Sequence, residues 1–257
     1  MTELTAFIFD VDGTLADTER DGHRVAFNRA FERAGLGWHW SVELYGELLQ
    51  ITGGKERMLY YIDHHAQADG AREKLRALVP ELHADKTRIY EQMMEEGGIS
   101  LRPGVERLLR EAREAGIRLA IATTTTRANV IALLANTLPP EAESWFEVIA
   151  TADEVEDKKP SPRVYEYVLE SMGLPAERCL AFEDSMNGIR ATQGASLTTI
   201  ITVNDYTRDE DYSEAALVLD HLGEPDRPFQ VLGGARKDLV PPGQSCMDVA
   251  LARKLLP

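Results

Sequence analysis

Residues 7–12 read Phe-Ile-Phe-Asp-Val-Asp, and no other stretch restricts the fold of this 257-residue chain as much. Phe7, Ile8 and Phe9 form a short apolar run that suits a strand covered on both faces, as in a parallel sheet. The run stops at Asp10, and a second carboxylate follows at Asp12. An unpaired carboxylate buried at a strand end costs several kcal/mol, so the pair needs compensation. A divalent cation is the expected source. Gly13 and Thr14 come next; they turn the chain and offer an amide and a hydroxyl to a phosphate.

Strand and helix patterns alternate through the second half of the chain. Pro103 suits a first helical position, and Val105, Leu108, Leu109 and Ala112 keep helical spacing up to Gly116. Residues 117–122 read as a strand ending at Thr123, 127–136 as a helix and 148–150 as a short strand. Residues 161–172 form a helical pattern closed by Gly173. A strand at 179–182 ends on Glu183 and Asp184; a helix at 186–194 and a strand at 198–203 follow. The alternation predicts an α/β fold, a doubly wound parallel sheet of Rossmann-like type, whose ligands bind at the carboxyl ends of the strands. Residues 217–219 are expected to form the last edge strand.

Between residues 17 and 96 no buried strand is evident. Val25, Ala26, Ala30 and Phe31 share a helical face, as do Met58, Tyr61, Ile62 and His65, and then Leu75, Leu78 and Leu82. This segment is expected to be an inserted all-helical domain, with Trp38, Trp40, Tyr60 and Tyr61 as packing residues. The expected partition is 1–16 and 97–222 for the α/β core and 17–96 for the insertion. Residues 223–257 are expected as a C-terminal appendage with a short helix at 247–256.

Composition excludes more than it assigns. The net charge of −15 argues against nucleic acid, whose binding depends on clustered Lys and Arg. No apolar run approaches the ~18 residues of a membrane span. The N-terminus has no signal-like region, and two widely spaced cysteines, Cys179 and Cys246, suit reduced thiols. A cytoplasmic monomer is expected, and the acidic run 205–214 is expected to be a solvated face.

Four strand ends carry polar residues: Asp10 with Asp12, Thr123, Lys159 in Lys-Lys-Pro-Ser-Pro, and Glu183 with Asp184. A carboxylate attacking a phosphate ester brings two anions together, so acids for Mg²⁺ and a fixed cation make a coherent set. Asp-Val-Asp-Gly-Thr at 10–14, Thr123, Lys159-Pro160 and Glu183-Asp184 resemble, in order, the four motifs of the haloacid dehalogenase superfamily. The resemblance spans residues 4 to about 220 and points to its phosphoglycolate phosphatase and β-phosphoglucomutase branch, with a helical cap inserted after the first motif. It implies that Asp10 is the nucleophile, Asp12 the acid and then base, and Thr14 and Thr123 phosphate ligands, with Lys159 a charge neutraliser. It also implies Mg²⁺ held by Asp10, the Asp12 carbonyl and Asp184, with Glu183 helping directly or through water.

In the insertion, Glu19 and His23 are candidates for substrate contact, and Thr-Gly-Gly-Lys-Glu-Arg at 52–57 for a second phosphate through Lys55 and Arg57. Thr124 and Asn187 are further candidates for binding, although both residue types also suit helix caps. Gly-Gly-Lys-Glu-Arg, Ala-Thr-Thr-Thr-Thr and Glu-Asp-Ser-x-Asn-Gly are most similar to CbbY-type proteins. That resemblance implies a phosphatase of a small phosphorylated sugar, xylulose-1,5-bisphosphate, a Rubisco-inhibitory by-product of the Calvin cycle. For a plant-type source it would imply the plastid stroma. A β-phosphoglucomutase-like mutase and a phosphatase of 2-phosphoglycolate or similar monoesters are the alternatives.

Overall fold

A computed structural model of the chain describes residues 3–51, 53–66 and 71–256. The chain divides into two compact units, one of residues 1–17 and 100–257, the other of 18–99. The larger unit opens with β1 (Ala6–Phe9), after which the smaller unit contributes α1 (Arg24–Arg33), α2 (Val42–Leu48), α3 (Gly54–His64) and α4 (Arg72–Glu95). The larger unit resumes with α5 (Val105–Glu114), β2 (Arg118–Ala122), α6 (Arg127–Thr137), β3 (Phe146–Ala150), α7 (Arg163–Met172) and β4 (Cys179–Glu183). It ends with α8 (Met186–Gly194), β5 (Thr198–Thr202), β6 (Leu217–Leu219), β7 (Val231–Gly233) and α9 (Val249–Leu255).

The seven strands form one sheet in the order β3-β2-β1-β4-β5-β6-β7, parallel except for the β6–β7 pair. This is the doubly wound, Rossmann-like arrangement expected. Strand order reverses at β1, which pairs with β2 on one side and β4 on the other. Phe9 is level with Ile121 and Phe182, so the polar residues that follow these strands emerge at one end of the sheet. That is the switch point at which such sheets bind ligands.

The two faces of β1 differ. Phe7 and Phe9 pack with Phe182, and the Phe9 and Phe182 rings stack 4.5 Å apart. On the opposite face Ala6, Ile8, Ala120, Ala122 and Ala181 meet Val164, Tyr165 and Val168 of α7. The small side chains let α7 lie close to the strands.

The edge and the tail differ from expectation. β6 is not the last strand, because β7 pairs antiparallel outside it. Residues 223–257 belong to the larger unit: α9 buries Val249, Leu251, Ala252 and Leu255, and Arg107 donates to the carbonyls of Leu222, Gly223 and Met247. β7 was missed because Val231 and Leu232 are exposed and end on Gly233, so the segment lacks the buried apolar run by which β6 was recognised.

In the smaller unit, Trp40 is fully buried among Phe27, Phe31 and Tyr61, whereas Tyr60 is exposed and stacks on His64. The buried face of α4 runs through Val79, Leu82, Lys86, Ile89, Tyr90, Met93 and Met94, and Leu78 is exposed. No helix among the described residues is long and apolar enough to cross a membrane.

Candidate active site

Asp10 is fixed where β1 ends: its amide donates to the Phe182 carbonyl at 3.0 Å, which continues the ladder one residue beyond the strand. Lys159 Nζ donates to Asp10 Oδ1 at 2.6 Å, to Glu183 Oε1 at 2.5 Å and to the Ala122 carbonyl at 3.0 Å. The lysine thereby joins the ends of β1, β2 and β4. Glu183 Oε1 also accepts from the Tyr165 hydroxyl, and Oε2 accepts from the Asp184 amide at 3.2 Å. Gly188, in the first turn of α8, has no side chain where the Glu183 carboxylate lies; a Cβ there would overlap it.

Asp10, Glu183 and Asp184 are buried, with ligand oxygens within 4.8 Å of one another. The Glu183 carboxyl is raised to about 7: burial pushes it up, Lys159 pulls it down and Asp10 pushes it up again. Asp184 is raised well above the usual carboxylate range by burial, then by Asp10 and Glu183. Burial works against the charge on Lys159, but Asp10 and Glu183 outweigh it and hold the ammonium above its ordinary range. Crowded acids facing a single direct lysine partner, with only oxygen donors, fit a hard divalent cation such as Mg²⁺. The Asp12 carboxylate is not part of this cluster, and the residue is half-buried.

The turn after Asp10 shows a second feature of a ligand site. Thr14 is buried, and its Oγ1 has no hydrogen-bond partner among the described residues, an uncommon state for a buried hydroxyl. Gly13, beside it, has φ +85°, and a Cβ would overlap Asp184 Oδ2 and come within 2.7 Å of Asn204 Nδ2. Glycine is therefore required twice, for the left-handed turn and for the close approach. Thr123 is buried after β2, its amide donating to the Ala150 carbonyl at 3.0 Å and its Oγ1 accepting from the Thr125 amide. Thr124 is half-buried, and Asn187 is exposed in the first turn of α8, which Ser185 caps by accepting from the Gly188 amide.

The smaller unit holds a polar cluster of its own. Glu19 accepts from the Tyr45 hydroxyl at 2.6 Å, and Arg57 donates to the same hydroxyl at 2.8 Å and to the Leu48 carbonyl at 3.0 Å. Lys86 Nζ lies 2.7 Å from His23 Nδ1, and the His23 ring stacks on Tyr90. A lysine ammonium only donates, so Nδ1 accepts and the neutral imidazole carries its proton on Nε2. The structure separates the two cations expected to act together: Arg57 is buried, whereas Lys55 is exposed. Thr52 lies outside the described residues.

The family profile of haloacid dehalogenase-like hydrolases matches residues 4–196. The chain belongs to that family. CbbY of Rhodobacter capsulatus is 48% identical over 213 residues, 83% of this chain and 91% of the relative. The plasmid CbbY of Cupriavidus necator is 47% identical over 226 residues, 88% of this chain and 89% of the relative. A crystal structure of a D10N mutant of CbbY from Rhodobacter sphaeroides in complex with xylulose-(1,5)bisphosphate is 43% identical. It matches with a TM-score of 0.68 over 86% of this chain and 95% of that one. The chain is thus a haloacid dehalogenase-like phosphoric monoester hydrolase.

Three polar residues of this haloacid dehalogenase-like site were not anticipated. Tyr165 reads as one more apolar position on α7, yet its hydroxyl bonds Glu183. Asn204 directly follows a recognised strand pattern, so the rule that singled out Asp10 and Glu183 applied to it; its Nδ2 donates to Asp184 Oδ2 at 2.7 Å. Tyr212 lies in the acidic run expected to be solvated, yet it is buried with its hydroxyl 2.6 Å from the Asp184 carbonyl. Nothing in the spacing of that run signals the inward turn.

The smaller unit carries a pH-sensitive group. The His23 pKa is lowered to about 4: burial lowers it most, Glu19 opposes the fall, and Lys86 and Arg57 add to it. Between pH 6.5 and 4 the unfolded chain binds a proton here that the folded chain does not, so acidification destabilises the fold. A tenfold change in proton affinity is worth about 1.4 kcal/mol, so the loss across that window approaches about 3 kcal/mol. His23→Gln is expected to flatten this part of the pH–stability curve, as measured by urea unfolding from pH 7.5 to 4. Parallel curves for the two proteins would show that His23 is not the group responsible.

Proposed function

We propose that this protein is a Mg²⁺-dependent phosphatase that hydrolyses xylulose-1,5-bisphosphate, so removing a Rubisco-inhibitory by-product of the Calvin cycle. The observation that carries the chemistry is Lys159 bridging Asp10 and Glu183 beside Asp184, at the carboxyl ends of β1 and β4. Asp10 attacks the phosphorus as the bond to the sugar oxygen breaks, and Asp12 gives that oxygen its proton. Asp12 then takes a proton from water, which attacks the aspartyl-phosphate and releases inorganic phosphate with Asp10 regenerated. Thr14 and Thr123 hold phosphate oxygens, and Lys159 offsets the charge that two approaching anions would otherwise accumulate.

Asp10, the Asp12 carbonyl and Asp184 would hold Mg²⁺, which supplies further charge neutralisation. Both Glu183 oxygens already accept hydrogen bonds from Lys159, Tyr165 and Asp184. This favours Glu183 as a support for Lys159 and the metal ligands, acting through water, rather than as a direct ligand. Substrate identity rests on the likeness to CbbY proteins. The smaller unit's Glu19, His23, Arg57 and exposed Lys55 are polar groups of the kind a phosphorylated sugar needs.

The test is phosphate release from xylulose-1,5-bisphosphate, ribulose-1,5-bisphosphate, 2-phosphoglycolate and β-glucose-1-phosphate, with and without Mg²⁺. The kcat/KM for xylulose-1,5-bisphosphate is expected to exceed the others by at least about tenfold, the scale that a few specific polar contacts provide. Faster hydrolysis of another substrate would overturn the substrate assignment. Conversion of β-glucose-1-phosphate to its isomer without free phosphate would make the protein a mutase.

A further inference from the structure

We propose that Arg102 is a positioning residue that holds the phosphate turn and the Asp184 support in register. It reaches neither Asp10 nor Lys159 by any bond described above, yet its guanidinium is buried, with 6% of the side chain exposed. Nη1 donates to the Gly13 carbonyl, to the Thr202 carbonyl at 2.9 Å and to Thr202 Oγ1 at 3.1 Å. Nη2 donates to the carbonyls of Val203 at 2.5 Å and Asp220 at 2.9 Å. Nε lies 3.2 Å from Asp17 Oδ1. One planar group therefore ties the turn after β1, the end of β5 and the residue after β6.

Two of the segments it joins flank Asp184. Gly13 sits against Asp184 Oδ2, and Asn204, one residue beyond Val203, donates to that same oxygen. Arg102 also has its own amide bonded to the Leu15 carbonyl at 2.8 Å, so backbone and side chain grip the same loop. A lysine at this place keeps the charge but cannot reproduce a rigid fork serving several carbonyls. Relaxing the fork would let the Asp12-Gly13-Thr14 turn drift from Asp184, with the Asp12 carbonyl carried along.

The inference rests on the assignment of Asp10, Asp12 and Asp184 as Mg²⁺ ligands. The experiment compares full-length wild-type protein with Arg102→Lys. It measures the rise in Tm on adding Mg²⁺ and the Mg²⁺ concentration that gives half-maximal phosphate release. Arg102→Lys is expected to shrink the Mg²⁺-induced rise and to raise the half-maximal concentration about tenfold, the usual effect of losing an outer support of a metal site. Arg107→Lys is the matched control, since Arg107 ties carbonyls of Leu222, Gly223 and Met247 in the same unit. It should lower Tm without altering the Mg²⁺ response.

If Arg102→Lys gives no folded protein, Asp17→Ala takes its place, with a smaller shift of the same sign. A wild-type Mg²⁺ response in the folded variant would overturn the positioning role alone. Absence of any Mg²⁺ response in the wild-type protein would overturn the metal assignment and this inference with it.

Discussion

Asp10→Asn is expected to release phosphate from xylulose-1,5-bisphosphate at least about 10⁴-fold more slowly than the wild-type protein, the scale of losing a covalent nucleophile. The amide keeps the shape of the carboxylate and an oxygen for Lys159, so geometry is largely preserved. What disappears is the charge and the ability to attack phosphorus. The same change relieves crowding, because Asp10 is among the groups that push Glu183 and Asp184 up. Without Mg²⁺ the variant should therefore be at least as stable as the wild type, even as activity collapses. Steady-state phosphate release and urea unfolding in EDTA check the two halves. More than a tenth of wild-type turnover would rule out Asp10 as the nucleophile.

Lys159→Ala is expected to lose activity by about 10³-fold, as when a fixed electrostatic group is removed from a reaction site. Its stability should move the opposite way. The Lys159 side chain is 8% exposed and its ammonium lies between two carboxylates; without it, Asp10 and Glu183 are buried acids lacking their cation. Breaking a buried pair from one side costs about 3 kcal/mol or more. Part of the cost is avoided by proton uptake, because Glu183 titrates at about 7 even with the lysine present. In EDTA the destabilisation should accordingly be larger at pH 8 than at pH 6. An equal loss at both values would show that Glu183 does not take up the proton.

Asp10, Thr123 and Glu183 were legible because each interrupts an apolar strand: Asp10 after Phe9, Thr123 after Ala122, Glu183 after Phe182. A charge in such a place, as at Asp10 and Glu183, has few bland explanations. The supports were harder to see, for different reasons. Tyr165 stands among Val164, Val168 and Met172 on the buried face of α7, and its second role depends on how α7 lies over β4. Arg102 precedes a helix, where an arginine is ordinarily solvated; its burial depends on carbonyls up to 118 positions away. In the smaller unit, Leu75, Leu78 and Leu82 suggested a buried stripe. The true face of α4 is rotated toward Val79 and Lys86, because packing against α1 and α3 decides which residues turn inward.

The alanine-rich face beneath α7 links tolerance to substitution with chemistry. Ala6, Ala120, Ala122 and Ala181 set how closely Val164, Tyr165 and Val168 approach the sheet. Enlarging any of them would lift α7 and draw the Tyr165 hydroxyl from Glu183, the acid that steadies Lys159. An attempt to make the protein more heat-resistant by filling out this layer would thus run into Lys159 from behind. The face should accept substitutions that conserve volume and reject those that add to it, even where the larger residue is the better hydrophobe.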